Sequence, residues 1–135
     1  MASWAIIQNS SQILLIQRSR KTTRADQWCF PGGGIKANET PKQACIREVF
    51  EETQLVIRVV KTAAKIGDDY YFLCKLEDPL QSVILKQNEC RNYVWINPRN
   101  LTNVGIIMNL KVIVPLLRFL GYKINLSDDL ERYIA

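Results

Sequence analysis

The chain contains no histidine. That absence excludes a Ser-His-Asp triad, a Cys-His dyad and any histidine-ligated zinc. Its four cysteines, Cys29, Cys45, Cys74 and Cys90, stand 16, 29 and 16 residues apart, so none forms a C-x-x-C pair. A four-thiolate zinc site is therefore not indicated, and a chain of 135 residues does not need disulfides to hold a core. Free thiols are expected. Six glycines and five prolines are too few for a collagenous polymer, and 47% apolar residues are too many for a disordered one. No apolar run approaches the roughly 20 residues that span a bilayer, so no membrane association is expected. The opening Met1-Ala2-Ser3-Trp4-Ala5-Ile6-Ile7-Gln8 lacks a basic leader and soon meets a polar residue, which reads as an unexported, cytoplasmic protein.

What is present fits one domain over residues 1–135, long enough to bury about two-thirds of its unfolded surface. Lys and Arg number 18 against 13 Asp and Glu, a formal charge of +5. With no imidazole to serve, hydrolytic chemistry has to come from carboxylates, a metal ion, or both.

Local patterns order the chain. Ser3 to Gln8 and Gln12 to Arg18 read as strands joined by a turn at Asn9-Ser10-Ser11. A basic surface loop, Arg18 to Arg24, carries four positive charges in seven residues. Trp28-Cys29-Phe30-Pro31 then runs into Gly32-Gly33-Gly34, where the backbone is free of side-chain constraint. Thr40, Pro41 and Gln43 together announce a helix: an N-cap, a proline suited to the first position and the partner of a capping box. That helix is expected to reach Thr53. Leu55 to Ile66 and Tyr70 to Leu76 read as a hairpin about Gly67-Asp68-Asp69, and Tyr93 to Ile96 as a further strand. A second helix is expected from Met108 to Leu120, kinked or split by Pro115. Ser127-Asp128-Asp129 can cap a last helical turn. The order β-β-α-β-β-β-α predicts an α/β (α+β) fold, a mixed sheet flanked by helices.

On a wheel of 100° per residue, Glu48, Glu51 and Glu52 share one sector of the first helix, at i, i+3 and i+4. Ile46, Val49, Phe50 and Thr53 centre on the opposite side, which is expected to be the buried face. Like charges this close are unfavourable in an isolated helix. Arg47 can pair with Glu51, and a hard divalent cation such as Mg²⁺ or Mn²⁺ would offset more.

Gly33, Glu39, Arg47, Glu48, Val49, Glu51, Glu52 and Leu55 fall on the pattern G-x5-E-x7-R-E-U-x-E-E-x-G-U, where U is a bulky aliphatic residue. The segment 33–55 thus resembles the Nudix box, with Gln54 where the family has glycine. A residue after a helix is commonly left-handed, so Gln54 implies about 1 kcal/mol of strain or a differently shaped turn. The preceding Trp28-x-Phe30-Pro31-Gly32 and the element order also look like this family, and imply its α/β/α sandwich.

The resemblance implies hydrolysis of a nucleoside diphosphate linked to another moiety, with Mg²⁺ or Mn²⁺ as cofactor. It implies metal binding by Glu48, Glu51, Glu52 and the Gly32 carbonyl, orientation of the glutamates by Arg47, and a bracing or water-mediated role for Glu39. The family's general base is either the glutamate at Glu48 or a carboxylate on a later loop. Glu89, just ahead of the Tyr93–Ile96 strand, is the candidate for an additional metal-binding carboxylate. Asp68 and Asp69 read more simply as turn formers.

The short chain is similar to mutator-type (MutT-like) pyrophosphohydrolases, which release pyrophosphate and a nucleoside monophosphate from (d)NTPs. Dinucleoside polyphosphates and nucleotide sugars remain alternatives, as does a nucleotide-sensing module without catalysis. Tyr71 lies 16 residues past the box, as in diadenosine polyphosphate hydrolases. Trp28, Tyr71 and Trp95 can offer stacking walls, and Arg18 and Arg24 can contact phosphates. Nucleic acid is not expected as a partner, RNA 5′ ends excepted. Both monomer and homodimer remain open.

Overall fold

A computed structural model describes residues 1–135. Seven strands are present: β1 (Ala2–Asn9), β2 (Gln12–Arg18), β3 (Trp28–Cys29), β4 (Gly32–Gly34), β5 (Ile57–Ile66), β6 (Asp69–Leu76) and β7 (Cys90–Ile96). Three α-helices accompany them: α1 (Pro41–Thr53), α2 (Leu110–Phe119) and α3 (Asp128–Ile134). A 3₁₀ helix covers Pro98–Val104.

The sheet is mixed, with β3-β2-β1-β6-β5 along its main path. β1 is its hub. It runs parallel to β6, with Ser3 opposite Tyr70 and Ile7 opposite Cys74. On its other edge it pairs antiparallel first with β4, Trp4 opposite Gly32, and then with β2, Gln8 opposite Ile13. β7 lies antiparallel to β2, and β5 forms a hairpin with β6.

Strands β1 and β2 carry unbroken apolar runs because both faces of the sheet are covered. Ala5, Ile7, Leu14, Phe72 and Cys74 pack with Cys45 and Val49 of α1. Their alternates Ile6, Ile13, Leu15 and Tyr71 pack with Ile113, Val114 and Leu117 of α2. The result is an α/β/α sandwich. No helix is long and apolar enough to cross a membrane.

Several boundaries differ from expectation. The strand after α1 begins at Ile57 rather than Leu55, because Gln54 first turns the chain with φ 62° and ψ 10°. The second helix is shorter than Met108–Leu120, but Pro115 does not split it. That proline sits on the exposed side, so the Lys111 carbonyl it leaves unpartnered stays within reach of water. The short strands β3 and β4 are too brief for a periodicity to reveal.

Candidate functional site

Helix α1 starts where its caps place it. The Thr40 hydroxyl accepts from the Gln43 backbone N–H at 3.1 Å, and Gln43 Oε1 accepts from the Thr40 N–H at 2.8 Å. The face that α1 buries keeps Val49 and Thr53 of the expected one but not Ile46 and Phe50. Ala44, Cys45, Val49, Glu52 and Thr53 are buried, whereas Ile46 is 39% and Phe50 45% exposed. The buried arc is rotated toward the glutamates, so Glu52 lies inside it and Phe50 outside. Contact with the sheet strands β1, β4, β5 and β6, not apolar content, sets that rotation.

The glycine run explains why a carboxylate belongs there. The Gly32 N–H donates to Glu52 Oε1 at 2.8 Å. A Cβ on Gly32 would stand 2.1 Å from the Ser3 carbonyl oxygen, so only glycine lets β4 approach β1 this closely. A Cβ on Gly33 would stand 2.5 Å from the Glu48 carboxylate. The Gly34 carbonyl accepts from Arg47 Nη2 at 2.9 Å. Three consecutive glycines therefore meet Glu52, Glu48 and Arg47 in turn.

Arg47 is the hub of the half-buried layer. Its Nε and Nη2 grip Glu39 bidentately, at 3.0 and 2.6 Å, and its Nη1 reaches Glu48 at 2.8 Å and Glu51 at 3.2 Å. The Arg47 hydrogen bonds, with help from the Lys36 N–H, hold the Glu39 carboxyl down at about 2. Glu39 in return raises the Arg47 pKa, with Glu48 adding to it. Glu39 thus braces the loop between β4 and α1 through Arg47 and through the Lys36 N–H at 2.8 Å.

Glu52 has a different environment. Burial pushes its carboxyl up to about 8, and the charges of Glu48 and Glu89 push the same way, against the Gly32 N–H and Arg18. Its second oxygen, Oε2, has only the Cys90 thiol nearby, at 3.8 Å. Burial, with Glu52 close by, also pushes the Cys29 thiol up to about 12 and raises that of Cys90. Both thiols stay neutral beneath the carboxylate, which suits free, unreactive cysteines.

Glu89 stands at the rim. Its side chain pairs with Lys86 at 3.2 Å, and its carbonyl accepts from the Ser19 N–H at 2.9 Å, tying the 86–90 turn to the basic loop. Lys86 itself donates its backbone N–H to the Glu52 carbonyl at 2.9 Å. Sequence reasoning missed Lys86, Cys29 and Cys90 as neighbours of this face, since each reaches it from β3, β7 or a loop that no spacing rule reports.

The remaining candidates are divided. Arg18 donates to the Thr23 carbonyl at 2.7 Å and lies close enough to Glu52 to oppose its rise. Arg24 donates to Asn109 Oδ1 at 3.2 Å, away from the glutamates. Trp28 is 7% exposed and Tyr71 4%, both inside the α2-side core, with Tyr71 edge-on to Phe30 at 6.4 Å. Neither ring offers an open stacking face, because filling the space under α2 takes up their surface. Asp69 accepts from the Ala2 N–H at 3.1 Å and from Trp4 Nε1 at 3.2 Å, a turn residue that also anchors β1.

As the side chains stand, no three acidic or thiol groups surround one point closely enough to hold a metal ion. Arg47 engages Glu48 and Glu51, and Glu52 Oε1 faces Gly32. The donor chemistry nevertheless fits Mg²⁺ or Mn²⁺: carboxylate oxygens beside a glycine backbone, and a buried acid whose Oε2 lacks a strong donor.

A family model described as NUDIX domain matches residues 1–115. Solved structures agree on the architecture. An Ap4A hydrolase from C. elegans, solved as a binary complex, is 23% identical, covers 90% of this chain and 96% of its own, and superposes with a TM-score of 0.71. A MutT protein from Methanosarcina mazei Go1 is 23% identical over 79% of this chain and 83% of its own, TM-score 0.66. An ADP-ribose pyrophosphatase from Streptococcus suis 89-1591 is 21% identical over 70% and 71%, TM-score 0.58.

Proposed function

The chain belongs to the NUDIX domain family, hydrolases of phosphoric anhydride bonds, and on that premise we propose that it cleaves a nucleoside triphosphate to the monophosphate and pyrophosphate. One observation carries the reading: Glu52, Glu48 and Arg47 of α1 meet Gly32, Gly33 and Gly34 in register, so two of the carboxylates and the arginine that orients them stand against one backbone strand.

Glu48, Glu51, Glu52 and the Gly32 carbonyl are the groups that would hold Mg²⁺ or Mn²⁺. Such an ion, when bound, neutralises phosphate oxygens and makes water a better nucleophile near neutral pH. The protein's own groups do the positioning. Arg47 fixes Glu48 and Glu51 while Glu39 fixes Arg47 from behind. Glu89, half-exposed at the rim, supplies a further carboxylate able to accept a proton from water. The basic loop carries Arg18, whose charge acts on Glu52, together with Arg20 and Lys21, counter-charge suited to a phosphate chain.

Product analysis across dNTPs, dinucleoside polyphosphates and sugar nucleotides, run in ¹⁸O-labelled water, tests this reading. Pyrophosphate release from triphosphates is expected. Preferred turnover of another class would replace the triphosphate, and turnover of none would end the hydrolase reading in favour of a nucleotide sensor.

A further inference from the structure

The cations around the acidic face differ in what they have left to offer. Arg47 commits all of its N–H groups inside the protein, to Glu39, Glu48, Glu51 and the Gly34 carbonyl. It orients carboxylates and has no donor for a ligand. Lys86, on the loop between β6 and β7, is the reverse case. Its Nζ makes a single hydrogen bond, to Glu89 Oε1 at 3.2 Å, and its other N–H groups have no partner in the protein.

The backbone fixes where this ammonium starts from. The Ile84 N–H donates to the Thr53 carbonyl at 2.9 Å and the Lys86 N–H to the Glu52 carbonyl at 2.9 Å, which stitches the loop to the last turn of α1. The Lys86 carbonyl accepts from the Glu89 N–H at 3.0 Å and from the Cys90 N–H at 2.9 Å. Only the half-exposed side chain is left to swing. Its bond to Glu89 raises the Lys86 pKa, and the charges of Glu51 and Glu48 add to this, so the group stays a cation.

Lys86 also borders open space. With Phe50, Glu51, Gln54, Ile84 and Leu85 it lines a cavity of about 440 Å³ beside the acidic face. It is the sole cation of that lining, and the sole carboxylate, Glu51, is already paired with Arg47 at 3.2 Å. The charge of Arg18 acts on Glu52, whereas that of Lys86 acts on Glu89, Glu51 and Glu48. A phosphate chain laid along the carboxylates therefore meets a second cation, one that the basic loop does not supply.

We propose that Lys86 is a substrate-binding residue, whose ammonium turns from Glu89 to grip phosphate oxygens lying over Glu51. This rests on the nucleotide reading of the carboxylate face. The exchange also releases the Glu89 carboxylate, so that it is free of its cation when a phosphate chain is present. A charge-assisted hydrogen bond of this kind is of the order that changes affinity about tenfold or more.

The test is calorimetric titration of the full chain, in excess Mg²⁺, with inorganic pyrophosphate and with AMP. For at least one of the two, Lys86→Met is expected to bind about tenfold or more weakly than wild type, with Lys86→Arg close to wild type. A loss with pyrophosphate puts the ammonium on the departing phosphates, and a loss with AMP puts it on the phosphate that stays with the nucleoside. Equal affinity of wild type and Lys86→Met for both ligands, or no binding of either by wild type, would overturn the proposal. So would an equal loss in Lys123→Met, which removes an exposed charge in the segment after α2. Because the loop is tied to α1 by backbone groups, Lys86→Met keeps its anchors, and a circular dichroism melt checks the fold. Hydrolysis of a nucleotide panel is scored separately: turnover alongside equal affinities removes only this proposal, whereas no turnover at all removes the reading beneath it.

Discussion

Glu52 is the residue on which the account turns, and its environment makes a pH-dependent statement. In the unfolded chain its carboxyl ionises near 4.5, and in the fold burial pushes it up to about 8. Between those values the folded protein keeps a proton that the unfolded chain has released. The stability this group contributes is therefore full below about 4.5 and is lost as pH rises toward 8. A divalent cation favours the ionised form and opposes that loss. Thermal melts of metal-free protein are expected to fall in midpoint between about pH 5 and 8, and Mg²⁺ or Glu52→Gln should flatten the trend. A slope untouched by Glu52→Gln would contradict the assignment. Gly33 offers a second check at this scale. The nearest atoms an alanine Cβ would meet belong to the movable end of Glu48, so Gly33→Ala should fold nearly normally yet displace that carboxylate. Activity is expected to drop about tenfold or more with a melting midpoint close to wild type. The spacing of glycines and glutamates was legible in the sequence. The buried state of Glu52 was not, because a glutamate counts as polar until the glycine strand it serves is seen.

At the scale of elements, α1 shows what local signals can and cannot carry. Its start was readable from Thr40, Pro41 and Gln43, since capping chemistry involves neighbours only. Its rotation was not, since Ile46 and Phe50 look like core residues until the sheet strands decide which side packs. Its end tests a point of backbone strain. Gln54 adopts φ 62°, and its N–H donates to the Phe50 carbonyl at 2.8 Å. Glycine adopts this conformation without the Cβ penalty, at the cost of extra freedom in the unfolded chain. Gln54→Gly is expected to stabilise the protein by up to about 1 kcal/mol in urea unfolding, with activity unchanged. Destabilisation would mean that the Gln54 side chain contributes more than its backbone costs. The short strands β3 and β4 escaped notice because two or three residues hold no period, and pairing with β2 and β1 alone defines them.

Across the whole molecule, the sandwich predicts that neighbouring residues of one strand are both core. Leu14 packs toward α1 and Leu15 toward α2, and each is fully buried. Leu14→Ala and Leu15→Ala should each cost about 2–5 kcal/mol in urea unfolding. A near-neutral result for one would mean that a face of the sheet is uncovered. The mixed sheet with helices was legible from the element order, because hairpin strands interspersed with amphipathic helices give a sheet whose faces those helices must cover. The hub role of β1 and the parallel pairing with β6 were not, since they join positions such as Ser3 and Tyr70 that share no local signal. For the same reason Trp28 and Tyr71 could be read as open stacking walls, although the space beneath α2 claims both.

The most direct test compares wild type with Glu52→Gln for pyrophosphate release from nucleoside triphosphates in saturating Mg²⁺. Loss of a carboxylate that holds the cation should lower the rate at least about 100-fold while the fold survives. Equal rates for the two proteins, or no turnover by wild type on any nucleotide, would contradict the claim that this acidic face of α1 works on a phosphoric anhydride.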